Sequence, residues 1–235
     1  MPAPLDGFHP AVRIWFQEEI GRPSPPQALG WPHIRAGRHT LICAPTGSGK
    51  TLAAFLQCID TLIGEGVDER PEGVQILYVS PLKALNNDMQ QNVARPLAGI
   101  ARTAERLGCR IGAIRSAVRT GDTPSSARQA MLRRPPHILI TTPESLYLLL
   151  TGEKSAQILR SVRYVIVDEI HALAPSKRGV HLALSLERLA EIAGEFVRIG
   201  LSATQRPLAE IARFLGGSRN GVERPVAIVD AGMRK

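Results

Sequence analysis

Aromatic residues make up only 4% of the chain, too few to build a platform on which successive bases stack. Cysteine is scarce too. Cys43, Cys58 and Cys109 are odd in number and form no Cys-x-x-Cys pair. Such a set indicates neither a disulfide framework nor a cysteine zinc site, and a reducing cytoplasm is the expected compartment. No apolar run reaches the ~18 residues of a membrane-spanning helix. Met1 to Asp6 has no basic stretch ahead of an apolar one, so neither a membrane partner nor a secretory signal is expected. Internal repeats and long low-complexity segments are also absent. Acidic residues number 21 against 29 basic ones, a net charge of +8. A basic surplus attracts polyanions, of which nucleic acid is the commonest.

What is present is enough for a core. Hydrophobic residues are 44% and charged residues 21% of the 235, too apolar a mix for a disordered chain. A chain this long buries roughly 70% of its extended surface. Short apolar runs recur ahead of helical stretches. Thr40–Cys43 precedes a helix from Lys50 to Ile63, and Val74–Val79 precedes one from Ala84 to about Arg106. Ile111–Ile114 and His137–Ile140 follow, then Tyr164–Val167 ahead of a helix from His181 to Ala193. Val197–Leu201 comes last, ahead of Leu208–Leu215. Runs apolar on both faces suit a covered parallel sheet, and their alternation with helices predicts an α/β domain, a mostly parallel sheet with helices on both faces. Residues 1–38 read as a helical segment broken by Pro23, Pro25, Pro26 and Pro32, residues 39–225 as the α/β domain, and Ser125 or Ser126 as the cap of a short helix.

Ala44-Pro45-Thr46-Gly47-Ser48-Gly49-Lys50-Thr51 lies between a predicted strand and a predicted helix, the context of a phosphate-binding P-loop. Glycines let backbone N–H groups turn inward, and the helix N-terminus adds a positive dipole end. Thr46, Gly47, Ser48 and Gly49 then form the cradle, Lys50 reaches the β- and γ-phosphates of a bound nucleotide, and Thr51 offers its hydroxyl to Mg2+. The loop opens on Ala44 rather than the glycine of the strict pattern. Asp168 and Glu169 end the strand Tyr164–Val167. There Asp168 is expected to hold Mg2+ through water and Glu169 to activate the attacking water. A helix cap is the competing reading of the pair. His171 follows three residues later, with no second histidine at ligand spacing, so a polar coupling role is expected rather than zinc.

Taken in order, Ser24-Pro25-Pro26-Gln27, the P-loop, Ser80-Pro81-Leu82-Lys83-Ala84-Leu85, Thr141-Thr142-Pro143-Glu144-Ser145-Leu146, Asp168-Glu169-Ile170-His171 and Ser202-Ala203-Thr204 resemble the first RecA-like motor domain of superfamily 2 DEAD/DEAH-box-like helicases. The wording is similar to the Lhr (large helicase-related) family, from about Phe8 to Lys235. That resemblance implies an ATP-dependent helicase that moves 3′-to-5′ on single-stranded DNA in repair. It implies that Gln27 reads adenine, with Trp15 or Phe16 as the stacking aromatic. Ser80, Pro81, Lys83, Thr142, Pro143, Glu144 and Ser145 would line the groove for a single-stranded or partly duplex nucleic acid, and Ser202 and Thr204 would couple the two sites. It also implies a second RecA-like domain, absent from this sequence, to which residues 226–235 resemble the hinge. The chain alone is then expected to bind ATP but not to unwind. A P-loop NTPase of another class would need an acceptor pocket or a guanine-reading Asn-Lys-x-Asp, and the sequence has neither. A non-enzymatic nucleic-acid-binding module gripping through Arg115, Arg119, Arg128, Arg133 and Arg134 is the remaining alternative.

Overall fold

Successive strand residues point to opposite sides of a sheet, so a strand apolar at every position needs cover on both faces. The computed structural model describes residues 4–65, 71–81, 84–204 and 206–232, with the backbone alone for 84–91. In chain order its elements are α1 (Pro10–Glu19), α2 (Pro25–Arg35), β1 (His39–Cys43), α3 (Lys50–Gly64), β2 (Ile76–Val79), α4 (Ala84–Arg106), β3 (Ser116–Arg119), α5 (Ser125–Arg133), β4 (Ile138–Thr141), α6 (Pro143–Thr151), α7 (Glu153–Gln157), β5 (Tyr164–Val167), α8 (Ile170–Leu173), α9 (Lys177–Ala193), β6 (Val197–Ser202), α10 (Leu208–Gly216), the small hairpin β7 (Ser218–Arg219) and β8 (Val222–Glu223), and β9 (Val226–Asp230). Seven strands form one parallel sheet in the order β3-β4-β2-β5-β6-β1-β9. This is the RecA-like arrangement of helices on both faces of a parallel sheet that the sequence predicts.

The period of two divides the core. Ile42, Ile76, Tyr78, Ile140, Ile166 and Leu201 face α1, α2, α3 and α4. Leu41, Leu77, Val79, Leu139, Val165 and Val167 face α6, α8, α9 and α10. The N-terminal helices belong to the first of these cores. Trp31 is fully buried, meets Phe8 and Phe16 edge-on at 4.9 and 5.5 Å, and donates from its indole N–H to the Ala53 carbonyl at 3.1 Å.

Register aligns the strand ends. Val79 pairs with Thr141 and Val167, Val167 with Gly200, and Cys43 with Ser202 and Asp230. The C-terminal ends of β1, β2, β4, β5 and β6 therefore share one edge. Between β1 and β2 the chain crosses over β6 and β5, so the loops after β1 and β5 open on either side of β6, a crevice of the kind that receives ligands in open α/β sheets.

Two elements differ from expectation. The third strand is Ser116–Arg119, not Ile111–Ile114. Ile111 and Ile114 pack against the core from a coil, while β3 is an edge strand, paired among the described residues with β4 alone and half-buried along its length. An edge strand needs no apolar run on both faces, which is why the apolar signal points five residues too early. Neither serine caps α5. Its N-cap is Pro124, without a side-chain bond. The turn before it is held instead by Thr123, whose hydroxyl accepts from the Thr120 N–H at 2.9 Å, and by Arg128, which donates to the Thr123 and Gly121 carbonyls at 2.7 Å each.

Candidate functional site

Beyond Cys43 the chain turns through Ala44–Gly49 into α3. Gly47 and Gly49 have φ of 78° and 85°, the left-handed region that costs an L-residue roughly 1–2 kcal/mol. A Cβ on Gly47 would meet nothing within 4 Å, whereas one on Gly49 would lie 2.7 Å from Gln27 Nε2. Within the protein, Gly47 answers a backbone conformation, and Gly49 also permits the close approach of Gln27. No side chain caps α3, leaving its first N–H groups to face the loop. Lys50 is buried, Thr51 and Ser48 are half-buried, and Thr46 is exposed. The Ser48 hydroxyl is buried without a hydrogen-bond partner. The Cys43 thiol beneath the loop is pushed up by burial to about 11, so it stays protonated and inert at neutral pH.

Gln27 reaches this loop from the first turn of α2. Its Oε1 accepts from the Ser24 N–H at 2.9 Å, and its Nε2 donates to the Gly49 carbonyl at 3.3 Å. The amide keeps a second N–H donor. The aromatic residues considered for adenine are both corrections. Phe16 is fully buried edge-on to Trp31. Trp15 is buried against Gly99, so tightly that a Cβ there would lie 2.2 Å from the indole nitrogen. Freeing either ring would expose an aromatic side chain from the core at a cost of roughly 1.5–3 kcal/mol.

The acidic pair ends β5, with only β6 between it and the P-loop strand. Two strand spacings put the two ends about 10 Å apart. The Ala44 N–H donates to the Ser202 carbonyl at 3.1 Å, tying the loop to the end of β6. Asp168 is buried. Its Oδ1 accepts from the Glu169 N–H at 2.9 Å, and its Oδ2 accepts from the Tyr78 hydroxyl. Burial first and Asp168 second push the Tyr78 phenol far above its ordinary value, which makes it a neutral donor throughout the accessible pH range. Glu169 has φ 46° and ψ 39°, a left-handed conformation that costs a non-glycine residue about 1–3 kcal/mol and recurs at functional sites. His171 joins the pair to the end of β6. Its Nδ1 accepts from the Ala203 N–H at 3.3 Å, and its Nε2 lies 3.3 Å from Glu169 Oε2. With Nδ1 accepting, a ring N–H is placed on Nε2, toward Glu169. Ser202 is buried and donates to the Ala203 carbonyl at 2.9 Å. Thr204 is exposed and lies close to Gly232, where a Cβ would be 2.8 Å from its methyl.

The expected groove residues collect at the ends of β2 and β4. Ser80 and Pro81 are buried, and the Ser80 N–H donates to the Thr141 carbonyl at 3.0 Å. Lys83 lies outside the described residues. Thr142 caps α6, accepting from the Ser145 N–H at 3.3 Å, and both side chains are buried. Glu144 is exposed at the start of α6 and takes a two-pronged bond from Arg178, at 2.6 and 3.2 Å. Arg178 also donates to the Pro81 carbonyl at 3.0 Å, clamping the β2 loop to α6. Burial pushes the Glu144 carboxyl up, but the Arg178 hydrogen bonds outweigh it and hold the group below its usual range. Neither Tyr78 nor Arg178 stands out in the sequence, because each acts through a partner distant along the chain. Of the arginines in the alternative grip, Arg128 and Arg115 donate to carbonyls of their own fold, Arg115 to Pro135 at 3.0 Å.

Residues 24–211 match the family model of the DEAD/DEAH box helicase. The chain is 53% identical over 225 residues to the ATP-dependent helicase Lhr-Core of Methanocaldococcus jannaschii, covering 95% of this chain and 26% of that protein. It is 49% identical to the Lhr helicase/uracil glycosylase of Escherichia coli, covering 96% of this chain and 15% of that one. A solved structure of the Mycobacterium smegmatis helicase Lhr bound to ssDNA and AMP-PNP superposes with a TM-score of 0.90 at 51% identity, over 99% of this chain and 29% of that one. The chain thus spans about a quarter or less of the curated relatives it matches.

Proposed function

Because this chain belongs to the DEAD/DEAH box helicase family, we propose that it is the ATP-binding motor domain of an Lhr-type helicase. In this reading it binds ATP at the P-loop and couples hydrolysis to movement along a nucleic-acid strand. The observation that carries the proposal is the path from Glu169 through His171 to the Ala203 N–H. It links the acidic pair to Ser202–Thr204 on the sheet edge that the P-loop shares.

In this reading Lys50 and the uncapped N–H groups of α3 bind the β- and γ-phosphates, and Gln27 offers its remaining N–H to adenine. A hydroxyl from Thr51 and a carboxylate from Asp168 are the hard oxygen donors that Mg2+ takes. The orphaned Ser48 hydroxyl marks a cradle built for a polar occupant. Bound there, Mg2+ supplies charge neutralisation at the phosphates. Glu169 orients the attacking water and accepts its proton, while the His171 Nε2–H holds the carboxylate by Oε2. Ser80, Pro81, Lys83 and residues 142–145 line the strand groove, where contacts to phosphate position a strand without reading its sequence. A second RecA-like domain is the proposed partner. Its arginine finger is worth roughly 10³–10⁵ in rate, so the chain alone binds ATP, hydrolyses it feebly and does not unwind. Movement 3′-to-5′ on single-stranded DNA and a role in repair belong to the same proposal.

The test is a thermal shift with Mg2+–ATP followed by hydrolysis assays. The wild type is expected to be stabilised by ATP and Lys50→Ala to lose that stabilisation while melting at its own ATP-free temperature. Supplying the second RecA-like domain should make hydrolysis depend on single-stranded DNA. An equal ATP shift in Lys50→Ala would remove the P-loop from the proposal.

A further inference from the structure

Tyr78 touches both metal-facing elements of the proposed ATP site. It is fully buried on β2, where period two turns it toward α3 together with Ile76. Its register partner on β5 is Ile166. Asp168 lies two residues further, about 7 Å along the strand, the reach of a tyrosine ring with its hydroxyl. The hydroxyl donates to Asp168 Oδ2. The ring stacks on Phe55 of α3, with centroids 5.0 Å apart and planes inclined by 27°. Phe55 is four residues beyond Thr51, so the two share one face of the P-loop helix.

We propose that Tyr78 is the positioning residue that fixes the Asp168 carboxylate relative to Thr51, and thereby sets the Mg2+ affinity of the nucleotide site. The inference rests on the ATP reading above. The Glu169 N–H holds Oδ1 and the phenol holds Oδ2, so the carboxylate has no free rotation. Each oxygen keeps a second lone pair for a metal-bound water. A leucine or phenylalanine at 78 would fill the same core but donate nothing, leaving a buried acceptor short of a partner and the carboxylate free to turn. Outer-shell partners of this kind typically govern metal affinity by 10–100-fold. The Phe55 stack carries the register, because the phenol is placed by the helix that bears Thr51.

The experiment titrates Mg2+ against binding of a fluorescent non-hydrolysable ATP analogue to the chain, with an EDTA baseline. Tyr78→Phe, which keeps the stack, is expected to bind the analogue in EDTA within about twofold of wild type and to need about 10-fold more Mg2+ for half-maximal enhancement. Phe55→Leu should raise the Mg2+ midpoint less, and adding it to Tyr78→Phe should raise it no further. Asp168→Asn separates the two claims. If Asp168→Asn moves the midpoint and Tyr78→Phe does not, the role of Tyr78 is refuted while the site stands. If neither variant moves it, or the wild type shows no Mg2+ enhancement, the ATP–Mg2+ reading itself falls. Should Tyr78→Phe melt before it can be titrated, an unmoved midpoint in Phe55→Leu overturns the inference by itself.

Discussion

Alanine at the two left-handed glycines of the P-loop should have unequal costs, and the difference is set by one side chain. At Gly47 the φ of 78° is the whole problem, because a Cβ there meets nothing within 4 Å. Gly47→Ala should therefore cost about 1 kcal/mol. At Gly49 the φ of 85° is joined by contacts of 2.7 Å with Gln27 Nε2 and 3.1 Å with Ser24 Oγ. Relieving the first moves the Gln27 amide off both its bonds, to the Gly49 carbonyl and to the Ser24 N–H. A hydrogen bond is worth about 1 kcal/mol net and an N-terminal helix cap about 1 kcal/mol. Gly49→Ala should thus cost about 3 kcal/mol, some 2 kcal/mol more than its neighbour. For a chain of this size that separates the two melting temperatures by about 4–8 °C. Equilibrium urea unfolding without nucleotide reads the stabilities directly. In a Gln27→Ala background the Gly49→Ala increment should shrink toward the Gly47→Ala value, because the obstructing amide is gone. An increment that is the same in both backgrounds would refute the claim that Gln27 braces the loop through Gly49.

Two further outcomes follow from the same geometry. With the second RecA-like domain supplied, Glu169→Gln should bind ATP normally but lose turnover, and His171→Ala should retain binding within about twofold while strand-stimulated hydrolysis falls about 10-fold. Undiminished turnover in single-turnover assays would clear both residues of these roles. Asp60 of α3 supplies a pH test. It accepts from the His9 N–H at 2.7 Å, and burial raises its carboxyl to about 6 from 3.8. The folded value exceeds the unfolded one, so its contribution is complete below about pH 3.8 and is lost as pH rises through about 6. The displacement corresponds to about 3 kcal/mol. Asp60→Asn keeps the acceptor, and its stability relative to wild type should rise by about that amount between pH 4 and 7. Parallel stability curves for the two proteins would contradict it.

Features whose cause lies within a few residues were legible without coordinates. Pairs of glycines two apart ahead of a lysine, an acidic pair closing an apolar run, and runs apolar on both faces each carry their reason in the local chain, and β1, β2, β4, β5 and β6 follow from them. The exceptions have causes elsewhere. β3 is displaced because an edge strand escapes the two-faced apolar rule. Trp15 and Phe16 are equally plausible as exposed or buried rings until α2 and α4 close over them.

Local spacing by itself pointed to a phosphate loop, an acidic pair and an alternation of strands and helices, and the motifs taken in order carried the resemblance to the family. Tertiary structure alone decided what each of those groups touches. Tyr78 meets Asp168 across 90 residues, Arg178 meets Glu144 across 34, and the Ala203 N–H meets His171 across 32. A hydrogen bond of that span is set by the register of neighbouring strands and the crossover that brings them together, and no window of sequence contains both partners.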